Sequence, residues 1–227
     1  MDNPLLLLLR LEGPMQSWGL KARWDIRDTG DEPTKSGIIG LLGCALGYAR
    51  KDPRLTDELD SQLRIGIRVE CPGEIARDYH TVSGELRTAE GKLRETTIVS
   101  FRDYLQDAAF LVVLEGPGEL LTRISNALKD PVWPIYLGRK SCPPTRPVFE
   151  TLTTDYASID DALSRHPWSS GTMEARKAHP KELKCIVEDL SGPYQRTDRM
   201  TKSPARMYGI RHVRMSTVKL QAEGEGL

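Results

Sequence analysis

Apolar and polar positions along the chain divide its first half into strands and helices. Residues 5 to 11 (LLLLLRL) form a nearly continuous apolar run, which is typical of a strand buried on both faces. Residues 62 to 70 (QLRIGIRVE) alternate apolar and polar side chains, which predicts a half-exposed strand. Residues 110 to 114 predict a second buried strand, and residues 119 to 129 predict an amphipathic helix.

The apolar segment PTKSGIIGLLGCALGY, which begins at Pro33, predicts a buried helix. Thr34 can cap this helix, while Lys35 and Ser36 occupy its first turn. Small residues share one face at helical spacing, namely Gly37, Gly40, Cys44 and Gly47. Because glycine is costly inside a helix, we expect this face to lie close against a sheet or another backbone. The free amides, lysine and hydroxyl at the helix start suit a phosphate, but a plain buried helix with a solvated first turn explains the same residues.

Residues 77 to 104 predict a long β-hairpin. Strand-forming residues at 76 to 82 and at 96 to 104 flank a polar, glycine-containing stretch at residues 84 to 94. The order of elements is then strand, helix, strand, hairpin, strand, helix. This order predicts an α+β sandwich close to the ferredoxin-like pattern, with one inserted hairpin.

Composition restricts the class of protein without identifying it. The 227 residues, 39% of them hydrophobic, suffice for one large domain with a core. Lys+Arg and Asp+Glu both number 32, but basic residues predominate at 131 to 149 and 196 to 219, and acidic residues at 150 to 190. Any anion-binding surface must therefore come from local clustering. The N-terminus lacks the pattern of a signal peptide and no apolar run approaches the about 18 residues of a membrane span, so we expect a cytoplasmic protein.

Motifs for metal binding and catalysis are sparse. The cysteines form no C-x-x-C pair and the histidines have no ligand spacing, so we expect reduced thiols and neither a metal nor a cofactor. These residues are Cys44, Cys71, Cys142, Cys185, His80, His166, His179 and His212. His80 follows Tyr79 on a predicted strand, so the two side chains point to opposite faces. A general acid or base role and a simple hydrogen-bonding role both remain open for His80.

Aromatic and basic residues interleave in a pattern that suits single-stranded RNA. The aromatic residues are Trp18, Tyr79, Tyr104 and Tyr136, and the basic residues are Arg77, Arg102, Arg139 and Lys140. Proteins hold single-stranded RNA by stacking bases on aromatic rings and by cationic contacts to phosphate. Core aromatics with solvated arginines would produce the same pattern, so the residues alone leave both interpretations open.

Several segments, in the same order, resemble the CasD family of subunits from type I-E CRISPR surveillance complexes (Cascade). They are LLLLLRLEGPMQSWG, PTKSGIIGLLGCALGY, RDYHTV, FRDYLQDAAFLVVL and YLGRKSCPPTRPVF, within about residues 5 to 150. The resemblance implies one RAMP domain over residues 1 to 227, with a ferredoxin-like (RRM-like) palm. It also implies an inserted β-hairpin thumb at about residues 82 to 97 and a C-terminal extension at about residues 151 to 227.

The resemblance further implies a function and partners. Members of this family bind the 5′ handle of CRISPR RNA, cap the filament of Cascade backbone subunits and contact the large subunit that reads the PAM. Target DNA is met through the complex, whose task is antiviral defence, and no membrane is involved. A separate subunit cuts the guide in this branch, which implies a non-catalytic protein.

Two other functions remain as alternatives to the non-catalytic RNA-binding subunit. Relatives in type I-C systems are metal-independent endoribonucleases that act through Tyr, Lys and His side chains, so Tyr79 and His80 keep a nuclease in consideration. The other alternative is a scaffold whose basic segments contact only acidic proteins.

Site residues follow from the resemblance together with the interleaved pattern. Gln16, Ser17 and Trp18 are expected to receive handle nucleotides by hydrogen bonding and stacking. Phosphate contacts are expected from Lys35, Ser36, the Gly37 backbone, Arg139, Lys140 and Arg146. The root of the thumb is expected to contribute Arg77, Tyr79, His80, Arg102 and Tyr104. The thumb tip is expected to contact the guide or target backbone through Arg87, Lys92 and Arg94.

Overall fold

A computed structural model describes residues 3–20, 26–84, 86–88, 90–94, 97–169, 180–202 and 207–219. These residues form an α+β structure with mostly antiparallel strands. The strands are β1 (Leu6–Glu12), β2 (Met15–Gln16), β3 (Ile26–Arg27), β4 (Arg64–Cys71), β5 (Glu74–Val82), β6 (Leu86–Arg87), β7 (Leu93–Arg94), β8 (Ile98–Gln106), β9 (Ala109–Glu115), β10 (Phe149–Thr153), β11 (Glu182–Glu188), β12 (Tyr194–Arg199) and β13 (Gly209–Lys219). The helices are α1 (Lys35–Ala45), α2 (Gly118–Lys129) and α3 (Ile159–Arg165), and a short π-helix spans Leu55–Asp60. No helix in the described ranges is long and apolar enough to cross a membrane.

The main sheet is antiparallel and has the strand order β10-β1-β9-β4-β11-β13-β12. The predicted strands at 5 to 11, 62 to 70 and 110 to 114 are confirmed as β1, β4 and β9, within a few residues at each end. The predicted half-exposure of the second strand is wrong, because β4 is buried except at its ends and its polar residues Arg68 and Glu70 are buried as well. The predicted helix at 119 to 129 is confirmed as α2. Strands β11, β13 and β12 extend the sheet beyond β4, so much of the C-terminal region continues the same sheet.

Strand β1 is buried on both faces, as its apolar run predicts. Leu7, Leu9 and Leu11 point into a large core with the side chains of α1 and α2. Leu6 and Leu8 point to the opposite face, into a smaller core under α3. Successive side chains of a strand alternate between faces, so a strand covered on both sides requires an apolar residue at nearly every position.

Helix α1 begins where the sequence predicts, but Gly40, in the middle of its small-residue face, is exposed. The Thr34 side chain accepts a hydrogen bond from the Gly37 amide at 3.2 Å, which confirms the N-cap. Gly40 is exposed, with no atom within 4 Å of the position that a Cβ would occupy. A Cβ on Gly37 would lie 2.9 Å from Trp18, and a Cβ on Gly47 would lie 2.9 Å from Val132. The predicted close packing of this face is therefore found at Gly37 and Gly47 and is wrong at Gly40. The core is filled instead by Ile38, Ile39, Leu41, Leu42 and Ala45.

We expect Gly40→Ala to raise the stability of the isolated chain by about 1 kcal/mol, because alanine favours a helix interior and open space surrounds this site. Urea denaturation measures the change. Gly43→Ala is the matched control, since its Cβ would lie 2.3 Å from Leu55 Cδ2 and should be destabilising. Equal effects of the two substitutions would contradict the orientation of α1.

A second, smaller sheet is built around a long hairpin. Strand β5 pairs with β8 along its whole length, from Glu74 opposite Gln106 to Val82 opposite Ile98. Strands β2 and β3 pair with the other edge of β8, and β6 and β7 pair near the tip. The hairpin predicted at residues 77 to 104 is confirmed, and its strands extend further at the root than predicted.

Candidate nucleic-acid interface

The loop that follows β1 is part of the core and not a nucleotide receptor. Gln16 is fully buried, and its amide donates to the carbonyls of Leu11 (3.3 Å) and Ala108 (2.7 Å). The indole of Trp18, only 1% exposed, donates to Gln16 Oε1 at 3.0 Å. The predicted stacking and hydrogen bonding of nucleotides by these two residues is contradicted, because both side chains are consumed by internal contacts.

Ser17 holds a second loop against the first. Its amide donates to the Leu137 carbonyl at 3.0 Å, and the residue is 5% exposed. Gly138 approaches so closely that a Cβ on it would lie 1.8 Å from the Ser17 carbonyl oxygen. The GPMQSWG and YLGRKSC segments therefore pack together. The role that the structure gives Ser17 is to position residues 136 to 142, in place of the predicted nucleotide contact.

The start of helix α1 already holds an anion from the chain itself. The Lys35 amide donates to Asp198 Oδ2 at 2.8 Å, and Arg211 binds the same carboxylate at 2.7 and 2.9 Å. Lys35 is 2% exposed, and its Nζ donates to Glu188 and to the Leu63 carbonyl, each at 2.9 Å. A phosphate contact from Lys35 is thus contradicted, because the carboxylate side chains of β11 and β12 occupy its donors.

Other members of the predicted phosphate set differ in availability. The Gly37 amide is engaged by the N-cap, so the predicted backbone contact is also contradicted. Ser36 is half-buried, and its contact with phosphate stays a prediction. Arg146 pairs with Glu150 at 3.1 Å and reaches the Ser169 hydroxyl at 3.4 Å, so its charge is shared with the protein. We therefore do not retain Arg146 as a free phosphate contact.

Most basic residues described between 196 and 219 form ion pairs, chiefly with acidic residues from other parts of the chain. The ion pairs are Arg196–Glu32, Arg199–Asp60, Lys202–Asp57, Arg211–Asp198, Arg214–Asp160 and Arg214–Asp189. Most of these partners lie far away in the sequence, so a local count of charges cannot reveal them. The described part of this segment consequently stabilises the sheet extension and offers no unpaired basic stripe.

The face of the main sheet opposite α1 and α2 is also closed. Helix α3 and residues 166 to 169 cover it, held by buried charges on the strands. Arg68 donates to the Leu163 carbonyl at 2.6 Å, and Arg10 donates to the Pro167 carbonyl at 2.7 Å. Burial and the nearby Arg10 charge lower the pKa of His166, which lies in this layer. RNA cannot reach this sheet face while the layer is in place.

The root of the β5–β8 hairpin remains as a candidate surface for RNA, and its two faces differ chemically. In the β5–β8 register, Tyr79 lies opposite Phe101 and Arg77 opposite Asp103, which places these four side chains on one face. The other face carries Asp78, His80, Arg102 and Tyr104. The predicted opposite orientation of Tyr79 and His80 is therefore confirmed. We call the first surface the aromatic face and the second the cationic face.

The aromatic face is exposed, and its charges are balanced. Tyr79 is 61% exposed and packs edge-to-face on Phe101, with ring centroids 5.7 Å apart. Arg77 lies 6.0 Å from the Phe101 ring and binds both oxygens of Asp103, at 2.7 and 3.1 Å. Ile26 extends the apolar surface beside Phe101 across β3. Such a surface suits a stacked base or an apolar protein surface.

The cationic face is organised around Arg139 and Tyr104. The Arg139 guanidinium lies 4.7 Å from the centre of the Tyr104 ring. It also donates to the carbonyls of Asp103 (3.1 Å), Arg27 (2.7 Å) and Asp28 (3.2 Å). Arg139 thus joins three segments of backbone, and its predicted contact with phosphate stays a prediction. Lys140, the next residue, is exposed.

Sequence reasoning missed two residues of this site. Phe101 is the cross-strand partner of Tyr79, and counting the hairpin register from its turn could have identified it. Arg27 lies beside Arg102 because β3 pairs in parallel with β8, and no local pattern in the sequence predicts that pairing. Both residues share the surfaces that carry the predicted RNA contacts.

The predicted thumb-tip contacts stay predictions. Arg87 and Lys92 are exposed, and Arg87 donates to the Gly91 carbonyl at 2.9 Å. The side chain of Arg94 lies outside what the structure describes, as does His179. Within the described ranges, no group of three or more His, Cys, Asp or Glu side chains is arranged to hold a metal ion.

Comparisons with known proteins agree on one family. The family described as CRISPR-associated protein (Cas_Cas5) matches residues 6–214. The CRISPR system Cascade subunit CasD of Escherichia coli (strain K12) is 38% identical over 156 residues, 63% of this chain and 69% of the relative. A chain from a CRISPR RNA-guided surveillance complex superposes with a TM-score of 0.72 at 30% identity, covering 95% of this chain and 90% of that one. The crystal structure of a Cas protein gives a TM-score of 0.68 at 35% identity, covering 94% and 95%. This chain therefore belongs to the Cas5 family of CRISPR-associated proteins.

Proposed function

We propose that this chain is the CasD-type subunit of a Cascade surveillance complex and that it binds the 5′ handle of CRISPR RNA without cleaving it. Its similarity to a Cascade subunit and to a chain from an RNA-guided surveillance complex supports the assignment. In this role it caps the filament of backbone subunits, contacts the large subunit and meets target DNA through the assembled complex.

The strand order supports a RAMP palm and thumb. The segment β1-α1-β4-β9-α2-β10 forms the antiparallel order β10-β1-β9-β4, which is the ferredoxin-like arrangement. The β5–β8 hairpin is inserted between β4 and β9, where a thumb is expected. In this interpretation the thumb includes the whole ribbon from Glu74 to Gln106, of which residues 82 to 97 are only the outer part.

The observation that carries the proposal is the cationic face at the hairpin root. Unlike the C-terminal arginines, Arg27, Arg102 and Lys140 form no ion pair with any carboxylate in the described ranges. Arg27 and Arg102 lie on one face of the ribbon whose reverse face carries the exposed Tyr79–Phe101 pair. Unpaired cations next to exposed aromatic rings are the two features that single-stranded RNA requires.

The orientation of Tyr79 and His80 argues against the alternative nuclease. A phenol and an imidazole that share one scissile phosphate must converge on it. These side chains point to opposite faces of β5, so they cannot both reach the same phosphate. We therefore assign His80 a place beside bound RNA and no catalytic role.

The function is tested by incubating the chain, co-expressed with its backbone subunit, with labelled CRISPR repeat RNA in EDTA. Native and denaturing gels are run in parallel. We expect a shifted RNA of unchanged length. A discrete cut would contradict the non-catalytic assignment, with His80→Ala as the variant that identifies the nuclease residue. An assembled complex that contains no RNA would contradict the RNA-binding assignment and favour a protein scaffold.

We expect Lys140→Glu to weaken RNA binding and to flatten its salt dependence. One lost phosphate contact should reduce the slope of log affinity against log salt by about 0.7 for single-stranded RNA. Lys129→Glu is the matched control, because Lys129 is also exposed but lies at the end of α2, over Phe149. Equal slopes for both variants would remove Lys140 from the site. Substitution of Arg139 is less informative, since it also breaks three contacts to backbone carbonyls.

A further inference from the structure

The Tyr104 hydroxyl has an unusual electrostatic environment. The residue is 7% exposed, and burial alone would raise the pKa of its phenol. Interactions with Ser141, Arg139 and Arg102 outweigh burial and lower that pKa below the ordinary value for tyrosine. A phenol with these neighbours is a strong hydrogen-bond donor that points into positive potential.

The groups around this hydroxyl are matched to an anion. Arg102 contributes a buried Nε with no hydrogen-bond acceptor in the structure, and a buried donor without a partner is costly. Arg139 contributes a second guanidinium, held in place by backbone carbonyls. On the same side, Arg27 adds positive charge. The described carboxylates on this face of the β5–β8 ladder are Asp78, opposite Arg102 in the register, and Glu74, at the root of the hairpin. Asp103 points to the aromatic face, where it is paired with Arg77.

We propose that Tyr104, Arg102, Arg139 and Ser141 form a receptor for a single phosphate group of the bound RNA, with the neutral phenol donating a hydrogen bond to a phosphate oxygen. This inference rests on the proposed RNA-binding function and specifies one subsite within it. The receptor works only while Tyr104 is protonated, because a phenolate would itself occupy the two guanidinium groups and repel the phosphate. Ionisation of Tyr104 is therefore linked to release of RNA.

The direct test compares Tyr104→Phe with the wild-type chain, both co-expressed with the backbone subunit and titrated with labelled repeat RNA. Phenylalanine keeps the ring beneath Arg139 and removes only the hydroxyl. We expect about tenfold weaker binding, the effect of one hydrogen bond to a charged group. Tyr48→Phe is the control, because that hydroxyl contacts Glu58 at 3.1 Å. If Tyr104→Phe binds RNA as tightly as the wild-type protein, the receptor is wrong and the proposed function still stands. If the wild-type protein itself binds no RNA, both the receptor and the proposed function are wrong.

The pH profile supplies a readout that a structural role would not change. Wild-type affinity should be constant at neutral pH and fall as pH rises through the lowered pKa of Tyr104. The decline should be absent in Tyr104→Phe, which also corrects for ionisation of the RNA bases. If Tyr104→Phe does not fold, the pKa of Tyr104 in the wild-type protein is measured with and without RNA. A higher pKa in the complex is expected, and an unchanged pKa would contradict the proposal.

Two kinds of phosphate could occupy the receptor, and the RNA probe distinguishes them. One probe series carries a 5′-phosphate or a 5′-hydroxyl, and the other replaces single internal phosphodiesters with neutral methylphosphonates. If the receptor binds a terminal phosphate, only removal of the 5′-phosphate should weaken binding by the wild-type protein. If it binds an internal phosphate, a methylphosphonate at one single position should weaken binding. In either case Tyr104→Phe should be insensitive to the same change. Sensitivity that persists in Tyr104→Phe, or its absence in the wild-type protein, would overturn the assignment.

Discussion

Gly138→Ala is expected to destabilise the chain by about 3 kcal/mol or more and to abolish RNA binding. Gly138 has a φ of +88°, in the left-handed region that alanine disfavours. The added Cβ would lie 1.8 Å from the Ser17 carbonyl oxygen and 2.7 Å from its carbon. Backbone atoms cannot rotate away as a flexible side chain can, so the two loops must separate. Urea denaturation gives the loss of stability, and titration with labelled repeat RNA gives the loss of binding.

Gly91→Ala separates the two contributions to this effect. Gly91 also has a positive φ, +81°, but no atom lies within 4 Å of the position of its Cβ. Only the conformational cost should then remain, about 1 kcal/mol. The difference between the two variants measures how closely the Ser17 and Gly138 loops pack. Equal losses would mean that the loops are further apart than described.

Local sequence patterns predicted the elements of the fold because local physics determines them. The leucine run of β1, the Thr34 cap, the amphipathic α2 and the hairpin each depend on residues within one short segment. The direction in which α1 faces was not predictable in this way. The large apolar side chains and the glycines of α1 both predict a buried face, and the space beneath the helix determines which of the two faces is buried. Ile38 and Leu42 are buried in the core, and Gly40 faces open space.

The same limit explains the errors at the candidate site. Trp18 and Tyr79 are equally plausible stacking residues in the sequence, yet one is 1% exposed and the other 61%. Strand alternation gives the relative orientation of neighbours such as Tyr79 and His80, but not which face is covered. Ion pairs between residues that lie far apart in the sequence cannot be predicted from local patterns either. Lys35 and Arg211 appear as free cations in the sequence, and both are held by carboxylates. Arg102 and Lys140 form no ion pair with a described carboxylate, and their contact with RNA stays a prediction.

Glu70→Ala should be the most destabilising change in the layer behind the main sheet. Glu70 is 2% exposed, accepts a hydrogen bond from Arg68 at 2.8 Å and forms an ion pair with Arg10 at 3.0 Å. Removing the carboxylate leaves Arg68 buried with backbone carbonyls alone and Arg10 with only Glu150, at 3.5 Å, as a carboxylate partner. Breaking a buried ion pair in this way typically costs about 3 to 5 kcal/mol. The substitution also removes the acceptor of the Ser169 amide, at 3.3 Å, and so loosens the residues that cover this sheet face. Thermal unfolding and hydrogen exchange of the Ser169 amide measure the two effects.

Glu115→Ala is the matched control, because Glu115 pairs with Arg64 at 3.0 Å where both side chains are exposed to solvent. Such a pair contributes no more than about 1 kcal/mol. A large loss for Glu70→Ala with little loss for Glu115→Ala would show that the arginines of β1 and β4 hold the closed layer. Faster exchange at Ser169 together with unchanged handle binding would place RNA on the hairpin root alone. If Glu70→Ala binds more RNA than the wild-type protein, the sheet face that the layer covers, with its released arginines, competes with the hairpin root for RNA.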